Sequence, residues 1–133
     1  MVDLSIVAMG DARVVRYMRH KGRYPAKDYL DEMPERDRAR FFALAKRMAD
    51  IGHLPSETHG HQLRGEYSDL FEFKPGDSRI FAFLHGTSLY LTSGAPKKKP
   101  KTQESDYAEA KNLRRDFLER EATKSTVPRK QSK

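Results

Sequence analysis

The chain has 133 residues, 37% of them hydrophobic and none of them cysteine, which fits one domain and excludes disulfide scaffolds and Cys-ligated metal centres. Its longest apolar run, Ile80-Phe81-Ala82-Phe83-Leu84, is too short to cross a bilayer, and Met1-Val2-Asp3 lacks the positive start of a signal peptide, so a soluble cytoplasmic protein is expected. The net charge of +7 is unevenly placed: residues 97–133 hold twelve basic and six acidic side chains, against fourteen and thirteen before them, which points to a polyanion partner for the C-terminal surface or to a merely solvated helix and tail.

Residues 1–11 read as an N-terminal arm or strand around Leu4–Met9, closed by Gly10-Asp11. Ala12–His20 interleaves Val14, Val15, Tyr17 and Met18 with Arg13, Arg16 and Arg19 and reads as a strand. After the turn Lys21-Gly22-Arg23-Tyr24, Pro25 opens a short helix with Tyr29, Leu30 and Met33 on one face. Pro34 opens a longer helix, in which Phe41, Leu44, Ala45, Met48 and Ile51 recur at helical spacing until Gly52 stops it. This predicts an αα-hairpin with one apolar face.

The period then changes. A strand is expected near Gln62–Tyr67, and Leu70–Lys74 alternates, with Phe71 and Phe73 on one face and Glu72 and Lys74 on the other. Pro75-Gly76-Asp77-Ser78 is a turn, Arg79–His85 a strand, His85-Gly86-Thr87 a turn and Ser88–Ser93 a strand. Glu104–Glu121 reads as a last helix with Tyr107, Ala110, Leu113, Phe117 and Leu118 on one side. The expected fold is α+β: an N-terminal strand and an αα-hairpin packed on an antiparallel sheet, with a C-terminal helix. Residues 1–122 form the single domain, and residues 123–133, basic and without an acid, read as a disordered tail.

Few residues suggest chemistry. Lys97-Lys98-Lys99-Pro100-Lys101 places four ammonium groups in five residues directly after a strand, suiting a phosphate surface or a solvated linker. Arg79 and Lys74 face each other across a turn and could hold a scissile phosphate; the plainer reading is an edge arginine paired with Asp77 or Glu72. His59 and His61 alternate without a third ligand, so no metal is expected; His53, His59 and His61 read as loop residues. Tyr67, Tyr90 and Tyr107 could stack on bases or simply pack. There is no Ser-His-Asp order, phosphate-binding glycine loop or catalytic carboxylate pair.

Taken in order, Tyr29-Leu30-Asp31-Glu32-Met33-Pro34, Leu63-Arg64-Gly65, Leu70–Lys74, Arg79-Ile80-Phe81, Leu89-Tyr90-Leu91, Lys97-Lys98, Lys101-Thr102 and Ala108-Glu109-Ala110 resemble the RelE/HigB toxin superfamily, in its phage-derived HigB-like branch, over about residues 13–120. The resemblance implies the toxin of a type II toxin–antitoxin pair: a ribosome-dependent mRNA endoribonuclease that needs no metal or cofactor. In its reaction the ribose 2′-OH attacks the adjacent phosphate, a chemistry that requires RNA. It also implies a HigA-like antitoxin with a helix-turn-helix domain as partner, and mRNA on the ribosome and ribosomal RNA as targets. By position it makes Arg79 the phosphate-stabilising arginine, puts Lys74 where arginine is usual, and makes Lys98 or Lys101 the donor to the leaving oxygen. Tyr107 would orient the attacking nucleotide, and Arg64, Lys97 and Lys99 would hold RNA. Ala82 falls where an aromatic is usual, Gly94-Ala95-Pro96 lacks the branch's phenylalanine, and Pro100 interrupts its lysine run. Two other readings remain open: a ParE-like inhibitor of DNA gyrase, which shares the fold and cuts nothing, and an RNA- or ribosome-binding module whose catalysis has lapsed.

Overall fold

A computed structural model describes residues 3–54 and 56–131, with side chains as far as residue 123. In α1, Pro25–Glu32, proline occupies the start of the helix, where a missing N–H leaves nothing unpaired. Pro34, in extended conformation, caps α2, Glu35–Ile51; Gly52 ends it at φ 83, its N–H bonding to the Met48 carbonyl. Phe41, Ala45, Met48 and Ala49 line the buried side of α2.

The strands are β1 (Ile6–Met9), β2 (Val14–Tyr17), β3 (Gly60–Gln62), β4 (Phe71–Phe73), β5 (Ser78–His85) and β6 (Ser88–Pro96); α3 spans Pro100–Gln131. They form one sheet in the order β1-β2-β6-β5-β4-β3. β3 to β6 make the expected antiparallel meander, but β2 lies parallel to β6, with Val15 opposite Leu89 and Tyr17 opposite Leu91. The sheet is therefore mixed rather than purely antiparallel. Side-chain alternation is the same in either sense of pairing; the direction here follows from the long excursion through both helices and the meander.

Two further expectations are corrected. The strand near Gln62–Tyr67 begins at Gly60 instead, where a side chain would meet the Glu72 carbonyl at 2.7 Å, and Gly65–Tyr67 is a 3-10 turn opened by Gly65 at φ 64. α3 starts at Pro100, and its backbone runs on through the segment that composition reads as tail; residues 132–133 and the tail side chains after Thr123 lie outside the described residues.

Both faces of the sheet are covered. Ile80 and Ala82 of β5 join Phe41, Ala45, Met48, Leu30 and Phe73 under the helical hairpin. Phe81 and Phe83 point the other way, to Ala110, Leu113 and Phe117 of α3. A bulge between Phe81–Ser93 and Ala82–Leu91 leaves Thr92 over, its hydroxyl donating to the Phe81 carbonyl at 3.1 Å. That extra residue reverses the alternation, so Gly94 faces the hairpin and Ala95 faces α3. No helix among the described residues is long and apolar enough to cross a membrane.

Candidate functional site

One end of the sheet gathers residues far apart in sequence. β4 ends there, the turn of Lys74–Asp77 leads into β5, β6 ends alongside, and α3 begins. The Lys97 N–H donates to the Asp77 carbonyl at 2.8 Å, which ties the lysine run to that turn. Gly76, at φ 72, brings its backbone against the Asp37 carboxylate, and Asp37 accepts the Ser78 hydroxyl at 2.9 Å. With the turn so anchored, the Gly76 and Ser78 carbonyls each accept from Arg79 Nη1 at 2.8 Å.

Arg79 is only 8% exposed. β5 is an interior strand, so this is no edge arginine; its partner is Glu72, with Nε 3.9 Å from Oε2, and not Asp77. Glu72 shares the face of Phe81 and is 3% exposed, because α3 covers what the alternation of β4 leaves as its second face. His61 Nε2 lies 3.8 Å from the other carboxylate oxygen, and the Tyr107 hydroxyl bonds to the same carboxylate. Burial pushes the Glu72 carboxyl up, against the pull of Arg79 and Lys74. Burial and then the Glu72 charge raise Tyr107, while burial and then Lys74 lower His61.

Around this buried group lies a basic rim. Lys98 Nζ is 2.8 Å from Asp106 Oδ2, and Gln103 Nε2 reaches the same oxygen at 2.7 Å. Gln103 also accepts the Lys98 N–H at 2.8 Å and donates to the Pro96 carbonyl at 3.2 Å, so it fastens the lysine run to the first turn of α3. Pro100, an interruption in the sequence pattern, is the first residue of that helix. Lys97, Lys99 and Lys101 are exposed, and Lys74 is half-buried, its N–H bonded to the His59 carbonyl at 2.9 Å.

The structure thus brings Arg79, Lys74, Lys97, Lys98, Lys99, Lys101 and Tyr107 to one sheet end. Arg64 stands in the loop after β3, its Nη2 3.7 Å from Glu57. Of the tyrosines, Tyr107 packs on Tyr67 and Phe81 at 5.5 and 5.6 Å, and Tyr90 on Phe117 at 4.5 Å. His61 belongs to β3 rather than to a loop. Sequence reasoning read His61 as a loop residue, missed Gln103 and Asp106 and saw Glu72 only as a counter-ion; the signal for Glu72 was a lone acid between Phe71 and Phe73. Among the described residues no group of three or more His, Asp or Glu side chains is placed to hold a metal.

Two departures from the family pattern have structural reasons. Ala82 is fully buried under the hairpin, and a side chain at Gly94 would strike the Tyr29 ring and come within 2.8 Å of Ile80 Cδ1. Residues 28–115, from α1 to the middle of α3, match the family model of phage-derived Gp49-like proteins (DUF891). No curated protein matches the chain. The match covers well over half of the sequence and every residue of the sheet-end cluster; the chain belongs to the Gp49-like phage-derived family, a RelE/HigB-like toxin family whose members are often toxins of toxin–antitoxin systems.

Proposed function

We propose that the protein is a toxin that cleaves ribosome-bound mRNA, of the HigB-like kind, held in check by a HigA-like helix-turn-helix antitoxin. One observation supports the reading above the family itself: cations from two distant segments, Lys74–Arg79 and Lys97–Lys101, meet beside Tyr107. In the proposed reaction the 2′-oxygen bonds to phosphorus, the bond to the 5′-oxygen breaks, and a proton passes to the leaving oxygen. Arg79, with donors left over from its two carbonyls, and Lys74 stabilise the phosphorane charge. Lys101 or Lys98 protonates the leaving oxygen, and Tyr107 aligns the nucleotide. Lys97, Lys99 and Arg64 hold the strand and ribosomal RNA.

A second reading, an RNA-binding module without catalysis, draws on the pairing of Arg79 with Glu72 and of Lys98 with Asp106. Pulsed expression followed by mapping of new RNA 5′ ends tests both. Cleavage predicts cuts inside translated codons with the wild type and none with the double variant Lys98→Ala/Lys101→Ala, whose exposed side chains the fold does not need; Arg79→Ala should also be silent. Growth arrest with intact mRNA would replace the nuclease by a ParE-like gyrase inhibitor. Neither arrest nor cuts would favour the binding module.

A further inference from the structure

The outward flank of α2 carries Arg36, Arg40 and Arg47, which lie within about 40° of one another at 100° per residue. They rise over about 16 Å of helix. None forms an ion pair among the described residues. Of the acids of α2, Asp37 is buried against Ser78, Glu35 points about 100° away from Arg36, and Asp50, on the same side three residues past Arg47, holds Lys46 at 3.0 Å. Beside the arginine row runs a groove of about 520 Å³ between α2 and the β4–β5 turn, lined by Arg40, Ala43, Leu44, His59, Lys74 and Gly76.

The groove opens from the turn that carries the candidate site. Lys74 lines it, and Gly76, whose carbonyl holds Arg79, forms its other wall. A basic band therefore continues from the lysine run, across Lys74, to Arg40 and the rest of the α2 row. Ala43, Leu44 and Pro75 line the groove beside Arg40 and Lys74, so the choice of a phosphate chain over a peptide rests on the cations. Unpaired, solvent-facing guanidinium forks one and two helical turns apart on one side suit phosphates.

We propose that this α2 groove is a second nucleic-acid site, in which Arg36, Arg40, Arg47 and Lys74 grip the phosphates of an RNA strand leading away from the sheet-end cluster. The choice of RNA rests on the proposed toxin function; the phosphate grip rests on the α2 surface alone. The test is binding of the full chain to a uridine oligonucleotide of about 12 nucleotides, titrated across salt concentrations. Replacing Arg36, Arg40 and Arg47 together by Gln is expected to weaken binding at least tenfold and to flatten the salt dependence by about 2, at about 0.7 per lost phosphate contact. The Lys triple variant at the same positions should keep the slope. A control triple in the β2–α1 loop, Arg19, Lys21 and Arg23 to Gln, should leave both nearly unchanged.

An unchanged slope with the α2 triple, or an equal loss with the control triple, would overturn the site. Tighter binding of poly-glutamate than of the oligonucleotide, abolished by the α2 triple, would replace RNA by an acidic protein. Cleavage itself is read separately by 5′-end mapping, so a protein that cuts nothing yet binds RNA through α2 would sink only the nuclease reading.

Discussion

Under the helical hairpin, the sheet meets Phe41, Leu30, Met48 and Ala45, and the polar pair Asp37–Ser78 sits at its margin. Under α3 the same strands carry Phe81 and Phe83 beside Glu72 and Arg79, with Tyr107 and Tyr90 from the neighbouring elements. The first face is a core whose role ends at stability. The second is a core interrupted by a buried acid–base group that reaches the surface at the lysine run. One sheet thus separates holding the fold from presenting charge, and substitutions on the two faces should fail in different ways.

The largest loss is expected on the hairpin face. Phe41 is fully buried, with its ring 5.3 Å from that of Phe73, and Phe41→Ala should lower the unfolding free energy by about 3–5 kcal/mol in a urea titration. Phe117→Ala on the other face, where the ring is half-buried against Phe83 and Tyr90, should cost about half as much. Equal losses would mean that α3 is as integral to the core as α2.

Next comes Glu72. Its removal leaves Arg79 buried with backbone carbonyls alone, and Glu72→Ala should cost about 3 kcal/mol. Glu72→Gln is milder and separates charge from volume. Because the folded carboxyl binds its proton more tightly than the usual 4.5, the native state holds more protons than the unfolded chain just above that pH, and stability falls there as pH rises. His61 runs the other way: lowered from 6.5, it holds fewer protons when folded, so its contribution grows as pH rises toward that value. The stability of the wild type relative to Glu72→Gln should therefore decline with rising pH above 4.5, and relative to His61→Gln it should climb up to 6.5. A flat Glu72→Gln difference would show that its pairing with Arg79 fully offsets its burial, and a rising one that the pairing outweighs it.

How far the sequence carries explains where these groups hid. Pro25, Pro34 and Gly52 punctuate the hairpin, and its apolar spacing is plain, so both helices and their buried face were readable. The strand Phe71-Glu72-Phe73 alternates identically whether water or a helix covers its second face, and α3 carries its apolar residues too loosely to announce that it does so. Hence Glu72 stood out only as a counter-ion for Arg79. The parallel pairing of β2 with β6 joins segments more than 70 residues apart, and nothing local in Val14-Val15 encodes its direction. The lysines were visible; their convergence on Lys74 and Arg79 needed the Lys97–Asp77 bond.

Gly94 offers a smaller effect that sharpens the same contrast. The bulge at Thr92 turns it toward the hairpin, beneath the Tyr29 ring, so Gly94→Ala must displace α1 and should cost about 1–3 kcal/mol. Ala95 faces α3 and is buried too; Ala95→Gly removes one methyl and should cost about 1 kcal/mol. If the two positions respond in the opposite order, the alternation after the bulge is not as described.

The smallest effect on stability should accompany the largest effect on function. Lys101 is exposed in the first turn of α3 and makes no ion pair among the described residues, so Lys101→Ala should leave the urea midpoint unchanged. Lys98 is held by Asp106, but an exposed pair of this kind contributes about 0–1 kcal/mol, and Gln103 still bonds to Asp106 when the ammonium is gone. Lys98→Ala should therefore also fold normally. If the sheet end is a phosphate site, both variants weaken RNA binding and lessen its salt dependence, and the loss at Lys101 is the greater because no carboxylate competes for its charge. If instead Lys98→Ala and Lys101→Ala bind RNA as the wild type does, the α3 face is a second structural core with a solvated rim, and the contrast between the faces is one of composition alone.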